Sequence, residues 1–149
     1  MSVVVADTSC LIGLHRMDRL ELLPALYTDI LIPPAVLDEF ANAIPFAKIM
    51  MPSDVNLTRS LRLILGAGES EAISLALEQN CPIILDDKRA RQIAIGMGLS
   101  QIGTVGILVK AKQKELIPSL AIALSELEAN GFYVSEELRA EALRLANEV

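Results

Sequence analysis

Five acidic residues fall where a chain of this kind can do chemistry. The run Pro82-Ile83-Ile84-Leu85-Asp86-Asp87-Lys88-Arg89 starts as a short apolar segment that reads as a buried strand, ends in two adjacent carboxylates and turns into a basic helix. That arrangement is costly unless something binds there. Asp7 ends the apolar run Val3-Val4-Val5-Ala6 in the same way, and Glu39 and Glu69 fall on helices at comparable junctions. Gathered at one end of a sheet, Asp7, Glu39, Glu69 and Asp86 would repel one another by about 4 kcal/mol per pair at ~4 Å and an effective dielectric of about 20. Such a cluster protonates, disperses or takes up cations. Two hard divalent ions resolve the repulsion, and an all-carboxylate site without His or Cys suits Mg²⁺ or Mn²⁺. A metal pair of this kind stabilises both the attacking and the leaving oxygen of an in-line phosphoryl displacement, which points to cleavage of a phosphodiester.

The elements that must position these acids alternate between strand and helix. Val3 to Val5 is a β-branched run without alternation, as expected of a strand covered on both faces, and Thr8 or Ser9 can cap the helix after it. A helix over Asp18 to Tyr27 leads to a strand over Asp29 to Ile32, and Pro33-Pro34 open the helix that carries Glu39. On that helix Val36, Leu37, Phe40 and Ile44 share one face, with Glu39 at its edge. Residues 45 to 58 carry no usable pattern. A helix from Gly66-Ala67-Gly68 to about Asn80 has Glu69 in line with Ile73, Ala76 and Leu77, which turns Glu69 inward and leaves Glu71 and Glu78 on the polar side. After the strand over Ile83 to Leu85, Ala90, Ile93, Ala94 and Met97 form the inward face of the basic helix. A short strand near Ser100 to Ile102 and a helix from Gly103-Thr104 follow. Helices over Leu116 to Asn130 and from the cap at Ser135 onward complete the chain. The fold class is α/β: a sandwich with a mostly parallel, roughly five-stranded sheet, right-handed crossovers and a ligand crevice at the strands' C-terminal ends.

Each acid also has a plainer role. Asp7 can be the N-cap of the following helix, Glu39 an ordinary exposed glutamate, and Glu69 a first-turn acid facing the helix dipole. Thr104 can cap its helix or donate its hydroxyl to a metal-bound water, and Asp87 is placed to cap the basic helix. His15 is the only histidine, and nothing near it supports a catalytic triad.

At 149 residues with 52% hydrophobic residues, the chain fits one domain with a full core. The N-terminal apolar run is too short and lacks the basic flank of a signal peptide, so a cytoplasmic protein is expected. Cys10 and Cys81 have no metal-ligand spacing and read as buried free thiols. A net charge of −6 argues against a general nucleic-acid binder. The distribution differs, because six of the 13 Lys and Arg residues lie within residues 88–114, a window without Asp or Glu, and predict one basic face. Lys88, Arg89 and Arg91 at its start would hold a nucleic-acid backbone. Aromatics make up only 3%, which disfavours an extended base-stacking platform.

The motifs together resemble the PIN-domain family (PilT N-terminus), particularly its VapC-like branch. The matching segments are Val4-Val5-Ala6-Asp7-Thr8-Ser9, Ile32-Pro33-Pro34 to Glu39, Gly66-x-Gly68-Glu69-Ser70-Glu71-Ala72, Leu85-Asp86-Asp87-Lys88-x-Ala90-Arg91 and Gly103-Thr104-Val105-Gly106, covering roughly residues 3 to 115. The resemblance implies a three-layer α/β/α fold, with residues from about 116 to 149 as a C-terminal helical extension. It further implies Mg²⁺- or Mn²⁺-dependent endoribonuclease activity on single-stranded RNA, and a toxin role beside a small antitoxin. By motif, Asp7, Glu39, Glu69 and Asp86 match the acids, with Asp87 as a further ligand or water-orienting group, and Thr8 and Thr104 match hydroxyl positions near the metals. The chain departs from many nuclease members, which carry Asp at the third acid and Thr-x-Asp at the fourth.

Three rival readings remain. The same scaffold can act without catalysis, through assembly as a homodimer or with an antitoxin. An aspartyl-phosphate phosphatase would use Asp7, but the acid it normally needs two residues later is Ser9. A nucleotide-binding regulator lacks a phosphate loop.

Overall fold

The computed structural model describes residues 2–149. Its elements are β1 (Val3–Ala6), α1 (Thr8–Arg16), α2 (Leu22–Leu26), β2 (Asp29–Ile32), α3 (Pro34–Phe40), β3 (Ala47–Ile49) and α4 (Val55–Leu61). Then come α5 (Ala67–Gln79), β4 (Ile83–Ile84), α6 (Lys88–Gly96), β5 (Gln101–Ile102), α7 (Thr104–Gln113), α8 (Leu120–Ala129) and α9 (Glu136–Leu145). The five strands form one sheet in the order β3-β2-β1-β4-β5, every pair parallel. Helices cover the sheet, as three layers require. The chain builds outward from β1 to β3 on one side, then crosses back and continues through β4 and β5 on the other. The strand order therefore reverses between β1 and β4, the place where an open α/β sheet ordinarily binds its ligand, beyond the strands' C-terminal ends.

Burial explains why the central strands read clearly in the sequence. Val4, Val5, Ala6, Ile83, Ile84 and Leu85 are fully buried, which leaves no polar face to alternate with. Register places Val5 beside Ile83 and Ala6 beside Ile84, so Asp7 and Asp86 emerge from neighbouring strands one residue out of step. Helix α5 packs on β1 and β4 and against α3, while α7 packs with α1, α2, α8 and α9. No helix among the described residues is long and apolar enough to cross a membrane.

Three local expectations need correction. The helix expected over Asp18 to Tyr27 is only Leu22–Leu26, because Asp18 takes a left-handed φ of 57° and the chain turns before it can begin. The segment without a readable pattern contains β3 and α4, the latter capped by Asp54, whose side chain accepts from the Leu57 amide. The helix expected from Leu116 starts at Leu120, where Ser119 caps it.

Candidate metal centre

The site grows from the two strand ends. The Asp7 amide is held by the Ile84 carbonyl at 3.2 Å, which ties β1 to β4 at the reversal. Asp7 stands at the N-cap position of α1, yet its side chain makes no cap hydrogen bond. Its carboxylate is only 3% exposed. Beside it, the Thr8 hydroxyl oxygen is buried and has no hydrogen-bond partner among the described residues.

Asp86 follows β4 and is fixed from the start of α7. The Thr104 amide donates to Oδ1 at 2.8 Å and the Thr104 hydroxyl to Oδ2 at 2.5 Å. Thr104 thus orients the acid, and its hydroxyl is spoken for. Gly103 makes the approach possible: a Cβ there would stand 3.0 Å from Asp86 Oδ1 and 2.9 Å from Arg91 Nη1.

Glu39 is exposed on α3 and Glu69 half-buried on α5, and these two helices pack against each other. Gly68 leaves the space that the Glu39 carboxylate occupies, since a Cβ on Gly68 would lie within 3.0 Å of Glu39 Cδ and closer still to Oε1. Glu69 is one residue on.

The electrostatics show that these side chains feel one another. Burial pushes the Asp7 carboxyl up to about 7, the Thr8 amide offsets part of this, and Glu69, Glu39 and Asp86 raise it further. Glu69 is raised by burial and then by Asp87 and Glu39, against a hydrogen bond from the Gly66 backbone. Asp86 is raised by burial, with its Thr104 hydrogen bonds and the nearby Arg91 charge pulling the other way. None of Asp7, Glu39, Glu69 or Asp86 forms an ion pair among the described residues. Arg91 is the cation whose charge acts on Asp86.

Among the described residues, no group of three or more His, Cys, Asp or Glu is placed to hold a metal ion together. A hard cation does not require one, because Mg²⁺ keeps several waters and is typically held by one or two carboxylates. The donor set fits such an ion: oxygen ligands alone, charges that need neutralising, and the unpartnered Thr8 hydroxyl at the rim.

The other predicted residues separate. Asp87 caps α6, accepting from the Ala90 amide at 2.8 Å, while still close enough to raise Glu69. Lys88 and Arg89 are exposed on the first turn of α6, and Arg91 is half-buried with its Nε donating to Gln101 Oε1 at 2.9 Å. The single basic face does not form. Lys110 lies over the Tyr27 ring, 3.3 Å from its hydroxyl at the opposite end of the sheet, and Lys112 pairs with Glu148 at 2.9 Å. Cys10 and Cys81 are buried free thiols.

The helix wheel of α5 is also corrected. Glu71, expected on the polar side, is the buried acid at 8% exposure, and its Oε1 accepts the Ala35 amide at 2.9 Å. Glu71 therefore fastens α5 to the first turn of α3 and so sets the position of Glu39. Sequence reasoning missed Glu71 as well as Gly68 and Gly103. A glycine directly before an acid or a threonine at a helix start was the signal for the two glycines, whereas Glu71 gave none.

A family model described as a PIN domain matches residues 3–148, nearly the whole chain and including α8 and α9. No curated protein matches the chain.

Proposed function

Because the chain belongs to the PIN-domain family, whose members are generally nucleases, we propose that it is a divalent-metal-dependent endoribonuclease acting on single-stranded RNA. What supports this reading is that Asp7 and Asp86 end neighbouring strands, that Glu39 lies against Gly68 in the helix turn that carries Glu69, and that burial and then Glu69, Glu39 and Asp86 raise the Asp7 carboxyl. Asp7, Glu39, Glu69 and Asp86 would hold Mg²⁺ or Mn²⁺, with Asp87 at the margin. The chemistry such ions supply when bound is stabilisation of charge on the attacking and leaving oxygens of a phosphoryl displacement.

The chain's own residues prepare that chemistry. Thr104 locks both Asp86 oxygens in one orientation, so this acid loses no rotamer freedom on binding. Gly68 leaves room for the exposed Glu39 carboxylate, and the Glu71 contact to Ala35 fixes the start of the helix that carries it. The unpartnered Thr8 hydroxyl offers a hydrogen bond to a water at the rim. Lys88 and Arg89, exposed at the start of α6, supply charge for an RNA backbone. The test is incubation of purified protein with single-stranded RNA in Mn²⁺, Mg²⁺ or EDTA. Cleavage that needs the ion and disappears in Asp7→Asn supports the reading, and intact RNA under all conditions sinks it.

A second reading, assembly through a surface, is favoured by exposed Ile49, Met51, Val55, Leu63 and Ile64. Of these, Met51, Val55 and Leu63 line a groove of about 470 Å³ together with Arg59 and Arg62. A homodimer or a small antitoxin would cover this apolar surface, and the toxin role belongs with that proposal. Light scattering on the isolated chain, and co-purification with the product of a short neighbouring reading frame, distinguish the two.

A further inference from the structure

A second cavity of about 320 Å³ opens against the outer side of Asp86, lined by Arg91, Gln101, Gly103, Tyr133 and Leu138 among others. Its contents suit one nucleotide. Tyr133 is 83% exposed, and of the five aromatic residues in this aromatic-poor chain it is the exposed one. Its ring, open at the wall of this cleft, offers a face for stacking. Arg91 is pinned at Nε by Gln101, which leaves its terminal guanidinium nitrogens without a hydrogen-bond partner among the described residues. Gly103 keeps the floor between Arg91 and Asp86 clear, because a Cβ there would crowd both.

We propose that this cleft is a nucleotide subsite, in which Tyr133 stacks on an unpaired base and Arg91 takes the phosphate that links it to the bond over Asp86. The proposal rests on the nuclease reading, and it adds a positioning role for the turn between α8 and α9. Stacking on a single aromatic tolerates any base, while the donors of Arg91 match a phosphate in a bidentate fashion. One subsite at the edge of the metal centre orders the strand there without an extended aromatic platform.

The test is binding without turnover, using nucleoside 5′-monophosphates, which contain no internucleotide bond. The chain has two tyrosines and Tyr27 is buried, so ring protons of Tyr133 are assigned by comparison with Tyr133→Phe in NMR spectra. Base-bearing monophosphates are expected to move the Tyr133 ring signals upfield, and ribose 5-phosphate to leave them in place. Tyr133→Ala should weaken monophosphate binding by roughly 5- to 100-fold while Tyr133→Phe retains it. Arg91→Gln should weaken nucleoside monophosphates and ribose 5-phosphate alike. Tyr133 signals that ignore every monophosphate, or that respond equally to ribose 5-phosphate, overturn the subsite even if the protein cleaves RNA. A protein that stacks nucleotides on Tyr133 but cleaves no RNA keeps the subsite and removes the nuclease reading.

Discussion

The Glu71 carboxylate accepts the Ala35 amide at 2.9 Å, joining the middle of the central helix to the first turn of the helix that carries Glu39. Pro33 occupies the N-cap position of that short helix and supplies no side-chain cap, so Glu71 supplies the missing acceptor from outside. Glu71→Ala leaves the half-buried Ala35 amide without its acceptor and should cost about 1–3 kcal/mol. In a chain of this size that is a melting temperature lower by roughly 3–10 °C. Glu71→Gln keeps a carbonyl acceptor and should cost less than half as much. Thermal melts of the two variants decide it, and equal losses would contradict the hydrogen bond as the cause.

Gly68→Ala separates folding from activity. Alanine is favoured over glycine within a helix, so stability should be unchanged or higher by up to about 1 kcal/mol. The new methyl enters the space of the Glu39 carboxylate, and the flexible end of that side chain must yield. A carboxylate displaced by about 1 Å typically costs a catalytic site on the order of 100-fold. Ribonuclease activity should therefore fall roughly 10- to 100-fold while the melting temperature holds. A fully active Gly68→Ala protein would take Glu39 out of the centre.

Glu148 fastens the C-terminus to the start of α8. Its carboxylate accepts the Leu120 amide at 2.5 Å and the Ala121 amide at 3.1 Å, and pairs with Lys112 at 2.9 Å. Ser119 takes the Ile122 amide, so three orphan donors of that helix are satisfied. Those hydrogen bonds, the Leu120 amide first, hold Glu148 down to about 2, below the ordinary 4.5. With the folded value lower than the unfolded one, the stabilisation is complete above pH 4.5 and is lost as pH falls toward 2. Glu148→Gln should lower the melting temperature at pH 7 and narrow its gap to the parent protein near pH 2.

How far the sequence revealed this molecule depended on burial. Val3 to Val5 and Ile83 to Leu85 are covered on both faces, so their composition alone identified β1 and β4 and placed Asp7 and Asp86 at strand ends. Strand β3 is an edge with Lys48 and Ile49 exposed, so no apolar pattern marked it. The wheel of α5 failed for the opposite reason. That helix is buried around most of its circumference, from Gly68 and Ser70 through Ala76, and a single-face wheel has nothing to orient it. Glu69 lies half-buried in the first turn of that helix. The basic window was a linear feature only: helix α7 carries Lys110 to the far end of the sheet.

Asp7 links stability to pH and, under the proposed function, to metal uptake. Its carboxyl is raised by burial and by Glu69, Glu39 and Asp86 to about 7 in the folded chain, against 3.8 in the ordinary range. Between those values the native state holds a proton that the unfolded state has lost, so stability must fall as pH rises and level off above 7. Metal-free protein should accordingly melt at a higher temperature at pH 5 than at pH 8, with acid unfolding of other groups entering only below that window. Asp7→Asn removes the charge but not the shape, and should flatten this slope, leaving the variant more stable than the parent at pH 8. Mn²⁺ competes with the same proton, so its apparent affinity should weaken by about tenfold per pH unit below 7. Calorimetric titration with Mn²⁺ at pH 6, 7 and 8, beside melts of both proteins, reads all three effects. A parent protein whose melting temperature is flat from pH 5 to 8, or an Asp7→Asn variant that binds Mn²⁺ undiminished, would place the metal somewhere other than the β1/β4 reversal.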